Sequence, residues 1–275
     1  MANISAAGSI GHDRVTRAIA SSAQRTGVDF NYLLGQAKIE SGLDPQAKAR
    51  TSSATGLFQF IDQSWLGVVE KHGHKYGLDW ARAAISQNGK GRFQVADSGL
   101  KSQILELRKN PEIASLMAAE FASDNKDYLE GRLGKSAAPV DLYLAHFLGP
   151  AGARKFLSLH ERNPNGAAAP HMMQAAGANK SIFYTKGGAP RSFDEIRQRF
   201  AAKLERFSPG VEASRPSTPG EQPSPVINTV QPADYVRLAS QRAAGPVAAS
   251  TSTSTYSESA HMAYMLLASL GATPR

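Results

Sequence analysis

Glu40 is a carboxyl side chain placed where it could act as a general acid. On a helix of roughly 100° per residue, the segment FNYLLGQAKIES carries Phe30, Leu33, Leu34 and Ala37 on one arc, and Glu40 lies about 20° beyond the edge of that arc. A carboxyl group among apolar side chains favours its uncharged form, which is the form that donates a proton. The helical wheel leaves a second interpretation open, in which Glu40 ends the helix and extends into solvent.

The residues that follow Glu40 form an unusual string. Residues 40–60 read ESGLDPQAKARTSSATGLFQF, so that Glu-Ser closes a helix, a loop with a proline follows, and a turn of small residues leads into GLFQF. A third stretch, AHFLGP, occupies residues 145–150. Each segment alone is weak evidence, but their order and spacing together are specific.

These segments resemble the three motifs of the soluble lytic transglycosylase-like (SLT) family, whose members cleave peptidoglycan and have a lysozyme-like fold. The resemblance covers residues 10–160. The matching residues are, in chain order, Glu40, Ser41, Leu43, Pro45 and Ala47; Gly56, Leu57, Phe58 and Gln59; and Ala145, His146, Phe147, Leu148, Gly149 and Pro150.

The match departs from the family pattern in two places. The loop before Gln59 is slightly longer, and Ser53-Ala54 stands where the family has Gly-Ala. In the third motif His146 replaces a tyrosine that lies near the catalytic glutamate in the family, and Phe147 replaces an asparagine. Histidine can still offer a hydrogen bond there, whereas phenylalanine cannot.

The resemblance implies a lytic transglycosylase, which breaks the β-1,4 bond between MurNAc and GlcNAc and leaves 1,6-anhydro-MurNAc ends. Glu40 would then be the single acid and base. The resemblance also implies that Ser41 and Gln59 bind and orient the substrate: Ser41 can hydrogen-bond the Glu40 carboxylate, and Gln59 offers its amide to a sugar N-acetyl group. It implies as well that Phe58 and His146 contact the glycan. It implies no cofactor and no metal.

A second carboxylate would change the reaction, because ordinary glycoside hydrolysis uses a pair of them. The nearest candidates are Asp44 and Asp62. Asp44 precedes Pro45 and is typical of a turn residue, while Asp62 precedes an apolar run and is typical of a helix N-cap. These interpretations favour transglycosylation, and a goose-type-like lysozyme that hydrolyses the same bond with water remains the nearest alternative.

Aromatic side chains near the GLFQF segment could form a wall against sugar rings. Phe58, Phe60 and Trp65 are the candidates, and we expect one or two of them to belong to the hydrophobic core instead.

The elements that must position these residues are predicted to be helices, so the fold class is all-α. Asp13 is predicted to cap the first helix, which would end near Gly27, and Asp29 to cap the helix that carries Glu40. Further helices are predicted over Asp62 to about Tyr76, Lys101–Lys109, Pro111–Asn125, Val140–His160 with a break at Gly149-Pro150, and Ser192–Phe207, whose apolar stripe is Phe193, Ile196, Phe200 and Leu204.

The predicted domain organisation follows the change of composition along the chain. Residues 1–9 form a flexible N-terminus, and residues 10–207 form the lysozyme-like domain, in which 161–207 are an extension that packs on the core motifs of 10–160. Residues 208–275 are rich in Pro, Ser, Thr and Ala, which predicts a disordered linker. The final AHMAYMLLASLG is compatible with a short helix that docks on a partner, such as a secretion-system or appendage component, or with a frayed terminus.

Composition narrows the partners and the compartment. A net charge of +8 favours anionic partners, of which peptidoglycan is one. The absence of cysteine excludes thiolate chemistry. There is no apolar run of bilayer length, and the first residues lack the pattern of a secretory signal. A substrate in the periplasm or cell envelope would therefore require another export route.

Two other classes of function compete with a glycan-cleaving enzyme. A non-enzymatic envelope-assembly factor would bind glycan through the domain and a machine component through the tail. A nucleic-acid binder lacks any recognised motif or basic stripe, and none is expected as a partner. His72 and His74 are too close in sequence to share a helix face, so we expect surface histidines and no metal site.

Overall fold

The computed structural model describes residues 4–50 and 52–207, and within these ranges the side chains of residues 4–12 are excluded from the description. The chain is mostly helical, which confirms the all-α class. The α-helices are α1 (Ile4–Thr26), α2 (Phe30–Ser41), α3 (Asp62–His72), α4 (Asp79–Ala84), α5 (Ser98–Glu106), α6 (Pro111–Leu133), α7 (Pro139–Arg162), α8 (Met173–Ala178), α9 (Lys180–Phe183) and α10 (Phe193–Phe207), with 3₁₀ turns at Gly73–Tyr76, Leu107–Lys109 and Ala169–His171.

Helix α1 begins nine residues before the predicted cap, so the prediction that Asp13 caps it is wrong. The residues before Asp13 include several alanines and no proline, and nothing in them stops a helix. Residues 4–9, predicted as flexible, therefore form the first turns of α1. Among the described side chains of this helix, the buried stripe includes Val15, Ile19 and Ala23.

Helix α2 has the predicted start. Asp29 Oδ1 accepts a hydrogen bond from the backbone N–H of Tyr32 at 2.7 Å, which confirms it as the N-cap. The helix ends at Gly42, whose φ of 65° is the left-handed conformation that favours glycine. Glu40 is thereby held in the last turn.

Helix α3 begins at Asp62, but its N-cap is Ile61 and has no side-chain hydrogen bond. The prediction that Asp62 is the cap is therefore wrong, because its carboxylate accepts a hydrogen bond from Arg108 Nη1 at 2.9 Å instead.

The later helices match their predictions with shifted ends. Helix α5 starts three residues before Lys101, and α6 continues eight residues past Asn125 to a left-handed Gly134. The break in α7 is confirmed at Gly149, whose φ of 70° and ψ of 159° lie in a region open to glycine. The α10 stripe is buried as predicted.

A short antiparallel hairpin was not predicted. Strands β1 (Ile85–Gln87) and β2 (Phe93–Val95) pair with Ile85 opposite Val95. Three residues a strand are too few to show an alternating pattern, and the intervening GKGR segment is the loop of the hairpin.

One large hydrophobic cluster joins the helices of the described chain. In the segment after residue 160, helix α10 packs on α7 and α2. Within the described ranges, no helix combines the length and the apolar character needed to cross a bilayer. The predicted linker and terminal segment, 208–275, lie outside the described residues.

Candidate active site

Glu40 is buried, with a relative exposure of 2%. Its position confirms that this carboxyl group lies on the apolar side of α2, and it excludes the interpretation in which Glu40 extends into solvent. A buried carboxyl group requires hydrogen-bonding partners, since an unpaired one would be costly.

Two side chains of α7 supply those partners. Tyr143 donates its hydroxyl proton to Glu40 Oε1 at 3.2 Å. His146 Nε2 lies 3.5 Å from the same oxygen, which is long for a hydrogen bond but close enough for an ion pair when the ring is protonated. The two residues are three positions apart, so they share one face of the helix.

His146 has a second contact, on its other ring nitrogen. Gln36 Nε2 and His146 Nδ1 are 3.2 Å apart, and Gln36 stands one helical turn before Glu40 on α2. If Gln36 donates to Nδ1, the ring proton of a neutral His146 is on Nε2 and faces Glu40. The side chains of Gln36, His146, Glu40 and Tyr143 thus form one connected set.

The buried phenol of Tyr32 interacts electrostatically with the Glu40 carboxylate. Burial raises the pKa of the Tyr32 phenol, and the negative charge of Glu40 raises it further. Tyr32 therefore stays uncharged at any physiological pH, and it adds no negative charge beside Glu40.

A cavity of about 340 Å³ lies next to this set. His146 and Gln59 line it, together with largely apolar side chains that include Phe60, Phe93 and Phe121. Glu40 does not line the cavity itself, and its side chain is 1% exposed. His146, at 12%, is the residue that both contacts Glu40 and faces the cavity.

Ser41 does not make its predicted contact. Its hydroxyl lies 2.8 Å from the carbonyl oxygen of Leu57 and 3.1 Å from that of Ala37. A hydroxyl has one proton to donate, so it is used on the backbone rather than on Glu40. Ser41 instead ties the end of α2 to the GLFQF segment.

Gln59 does line the cavity, but its amide nitrogen is already engaged. Nε2 donates to the carbonyl oxygens of Gly56 at 2.8 Å and Ala47 at 3.1 Å. Its φ of 48° is unusual for a residue other than glycine, and these two bonds hold the turn in that conformation. The amide oxygen is the atom left to meet a ligand.

Of the three aromatic candidates, Phe60 lines the cavity. Phe58 and Trp65 are 1% and 0% exposed and belong to the core, which confirms the expectation that one or two of the three are core residues. Phe58 therefore has no exposed surface for the glycan contact that the resemblance implies. Trp65 donates its indole N–H to the carbonyl oxygen of Ile104 at 2.7 Å.

The candidate second carboxylates have structural partners. Asp44 Oδ1 accepts a hydrogen bond from the backbone N–H of Gln46 at 2.8 Å, which confirms the turn. Asp62 pairs with Arg108, and burial lowers the pKa of that guanidinium even though Asp62 opposes the change.

Asp124 is a carboxylate that the sequence did not single out, and it lines the cavity. Lys71 donates to Asp124 Oδ1 at 2.8 Å, and His72 Nε2 lies 2.9 Å from Oδ2.

His72 also lies 3.0 Å from Glu120, and it is buried, so the prediction of a surface histidine is wrong for His72. His74 is exposed as expected.

Tyr143 and Gln36 are the site residues that were missed. Each is separated by one helical turn from a residue that was selected, Tyr143 from His146 and Gln36 from Glu40. Helical spacing from the motif residues would have found both.

Among residues 13–50 and 52–207, no group of three or more histidine and carboxylate side chains has an arrangement that could hold a metal ion. Comparison of the sequence with models of known protein families gives no match.

Proposed function

We propose that this protein is a peptidoglycan lytic transglycosylase in which Glu40 is the only catalytic acid and base. The observation that carries the proposal is the setting of Glu40: a buried carboxyl group, hydrogen-bonded by Tyr143 and next to His146, at the side of an apolar cavity. Such a setting suits a group that must hold a proton and then release it.

In the first step Glu40 donates its proton to the glycosidic oxygen between MurNAc and GlcNAc. The bond from MurNAc C1 to that oxygen breaks, and GlcNAc leaves with its new hydroxyl group. The positive charge left at C1 is shared with the ring oxygen or with the acetamido group of the same sugar.

In the second step the Glu40 carboxylate acts as the base. It takes the proton from the C6 hydroxyl of MurNAc, whose oxygen attacks C1 and forms the 1,6-anhydro ring. The step restores the protonated Glu40 and consumes no water. A second carboxylate is not needed, and the one that lines the cavity, Asp124, is held by Lys71 and His72.

His146 and Tyr143 have separate roles in this proposal. Tyr143 stabilises the carboxylate formed after the first step through its hydroxyl proton. His146 stands between Glu40 and the cavity, so its ring must shift for the carboxyl group to reach a bound sugar. Its contact with Gln36 sets the position from which it moves.

Product analysis of digested sacculi tests the proposal. Mass spectrometry of muropeptides released by the wild-type protein should show anhydro ends, and Glu40→Gln should release none. Reducing ends would instead identify a lysozyme that hydrolyses the bond with water.

A non-enzymatic glycan-binding role is the second candidate, and one observation favours it: Glu40 does not line the cavity. In that case both the wild-type protein and Glu40→Gln would bind sacculi and release nothing. We also propose that the protein acts in the periplasm or cell envelope and that residues 208–275 bind a secretion-system or appendage partner.

A further inference from the structure

A second cavity, of about 720 Å³, lies in the extension after residue 160, and none of the residues that line it contacts Glu40. Helices α8, α9 and α10 and the turn between α9 and α10 surround it. The turn is closed by backbone hydrogen bonds between Thr185 and Ala189 and between Arg191 and Phe183. The cavity wall is therefore built from regular, hydrogen-bonded chain.

Four cationic side chains line this cavity: Lys180, Lys186, Arg191 and Arg199. No aspartate or glutamate is among the residues that line it. Within the described chain, none of the four makes a salt bridge. The carboxylate of Asp194 on α10 is engaged by His160 and Gln198 instead. Four unpaired like charges around one cavity repel each other unless an anion lies between them.

The guanidinium of Arg191 provides a second, independent observation. Its Nε atom is buried and has no hydrogen-bond partner among the described residues. A buried N–H group without an acceptor costs free energy, and such groups in native proteins commonly meet a bound ion or water. The same side chain lines the cavity.

Hydroxyl groups complete the lining, from Ser181, Tyr184 and Thr185. Guanidinium and ammonium groups combined with hydroxyl donors match the oxygens of a phosphate group. A monocarboxylate would leave most of the four positive charges uncompensated, whereas a phosphate-bearing ligand brings more charge. The volume also exceeds that of a single small anion.

We propose that this cavity binds a ligand through its phosphate groups. The site is distinct from the one beside Glu40, because the two cavities share no lining residue, although Arg199 stands on α10 next to Phe200, which packs on Tyr143. The phosphate could belong to a lipid headgroup or to a soluble compound, and both have the same recognition chemistry.

Titration calorimetry on the full chain tests the site, with pyrophosphate as the probe and citrate as a carboxylate of comparable charge. The variant Lys180→Gln/Arg199→Gln removes two exposed cations of the cavity. The matched control, Lys90→Gln/Lys101→Gln, removes two exposed cations elsewhere and changes the net charge equally. Circular dichroism melts check that both variants stay folded.

We expect the cavity variant to weaken pyrophosphate binding at least about tenfold and the control to leave it within about twofold. Equal weakening by both variants, tighter binding of citrate, or no binding of pyrophosphate would overturn the proposal. Glu40→Gln should bind pyrophosphate as the wild type does, so that loss of glycan cleavage and loss of phosphate binding are distinguishable.

Vesicles separate the two sources of phosphate. If the source is a lipid headgroup, vesicles of phosphatidylglycerol should retain more wild-type protein than cavity variant. Vesicles of phosphatidylcholine serve as the reference and should show a smaller difference between the two proteins. Pyrophosphate binding without such a difference supports a soluble source.

Discussion

At the scale of single residues, the carboxyl group of Glu40 is the centre of the site, and its two neighbours on α7 are not equivalent. Tyr143 can only donate a proton to it, because a phenol stays protonated at neutral pH. His146 can donate or accept, because a neutral imidazole has one protonated and one unprotonated ring nitrogen. Tyr143 therefore offers Glu40 only a hydrogen-bond donor, whereas His146 can present either kind of nitrogen.

Under the proposed mechanism, Glu40→Gln should lower the rate of sacculus solubilisation by at least about a thousandfold, since general acid catalysis would be lost while the shape is kept. Turbidity assays measure the rate, and pull-down on sacculi should show binding unchanged. Substantial residual cleavage would mean that another residue is the acid.

Tyr143→Phe should reduce the rate about tenfold, because it removes the hydroxyl donor to Glu40 and keeps the ring. The Tyr143 ring packs edge-on against Phe200, with centroids 5.4 Å apart, so the fold should be retained. Tyr128→Phe on α6 is the matched control and should have no effect. An equal loss in both variants would contradict a role for the Tyr143 hydroxyl.

At the scale of elements, the GLFQF segment is held against the end of α5 by Arg108. Its Nη1 donates to the carbonyl oxygens of Ser53 at 2.9 Å and Phe60 at 3.0 Å. The segment passes Arg108 so closely that a Cβ on Gly56 would overlap the Arg108 backbone carbonyl group. The glycine of this motif is thus required by packing as well as by its φ of 82°.

Gly56→Ala should destabilise the fold by more than about 2 kcal/mol, since it adds a backbone overlap to an unfavourable left-handed conformation. Gly77→Ala is the control: φ is 72° there, but nothing lies within 4 Å of the added Cβ. It should cost only about 1 kcal/mol. Urea unfolding measures both, and equal losses would show that the contact with Arg108 is unimportant.

At the scale of the whole molecule, a partly buried ionic network joins α3 and the 3₁₀ turn after it to α6; His72 and Glu120 are buried in it, whereas Lys75 is half-exposed. Lys75 and Tyr76 donate to Glu120 at 3.0 and 2.6 Å, and His72 lies between Glu120 and Asp124. Burial pushes the pKa of Glu120 upward, but the hydrogen bonds from Tyr76 and Lys75 and the charge of His72 together outweigh it and leave the pKa below its ordinary value. The pKa of Asp124 is also below its ordinary value, because its interactions with Lys71 and His72 outweigh the effect of burial.

The pKa of Glu120 is lower in the folded protein than in the unfolded chain. The network therefore stabilises the protein at pH values above the pKa of the unfolded carboxyl group, and this stabilisation is lost as the pH falls through the pKa of the folded state. Glu120→Gln should therefore be less stable than the wild type at pH 7, and the difference should shrink below about pH 4. Urea unfolding at several pH values measures this. Glu161→Gln, at an exposed salt bridge to Lys135, should show little difference at any pH. A constant deficit for Glu120→Gln would contradict the ionic explanation.

Features that depend on near neighbours in the chain could be predicted from the sequence. The cap at Asp29, the turn at Asp44, the break at Gly149 and the stripe of α10 each involve residues within about one or two helical turns of each other. The same local reasoning placed Glu40 at the end of α2 near the edge of its apolar arc, and the structure decided between burial and exposure. The all-α class follows from the sum of such segments.

Only the tertiary structure decided which side chains meet. Glu40 accepts a hydrogen bond from the hydroxyl of Tyr143, which lies 103 positions later in the chain. Asp62 pairs with Arg108, and the hydroxyl of Ser41 donates to the carbonyl oxygen of Leu57. Burial of His72 and Phe58 likewise depends on helices that lie far away in sequence. A helical wheel gives the direction in which a side chain points from its helix. Which residue it meets there depends on how the helices pack against each other. That packing is the sum of many weak contacts across the whole chain, so it cannot be read from one segment.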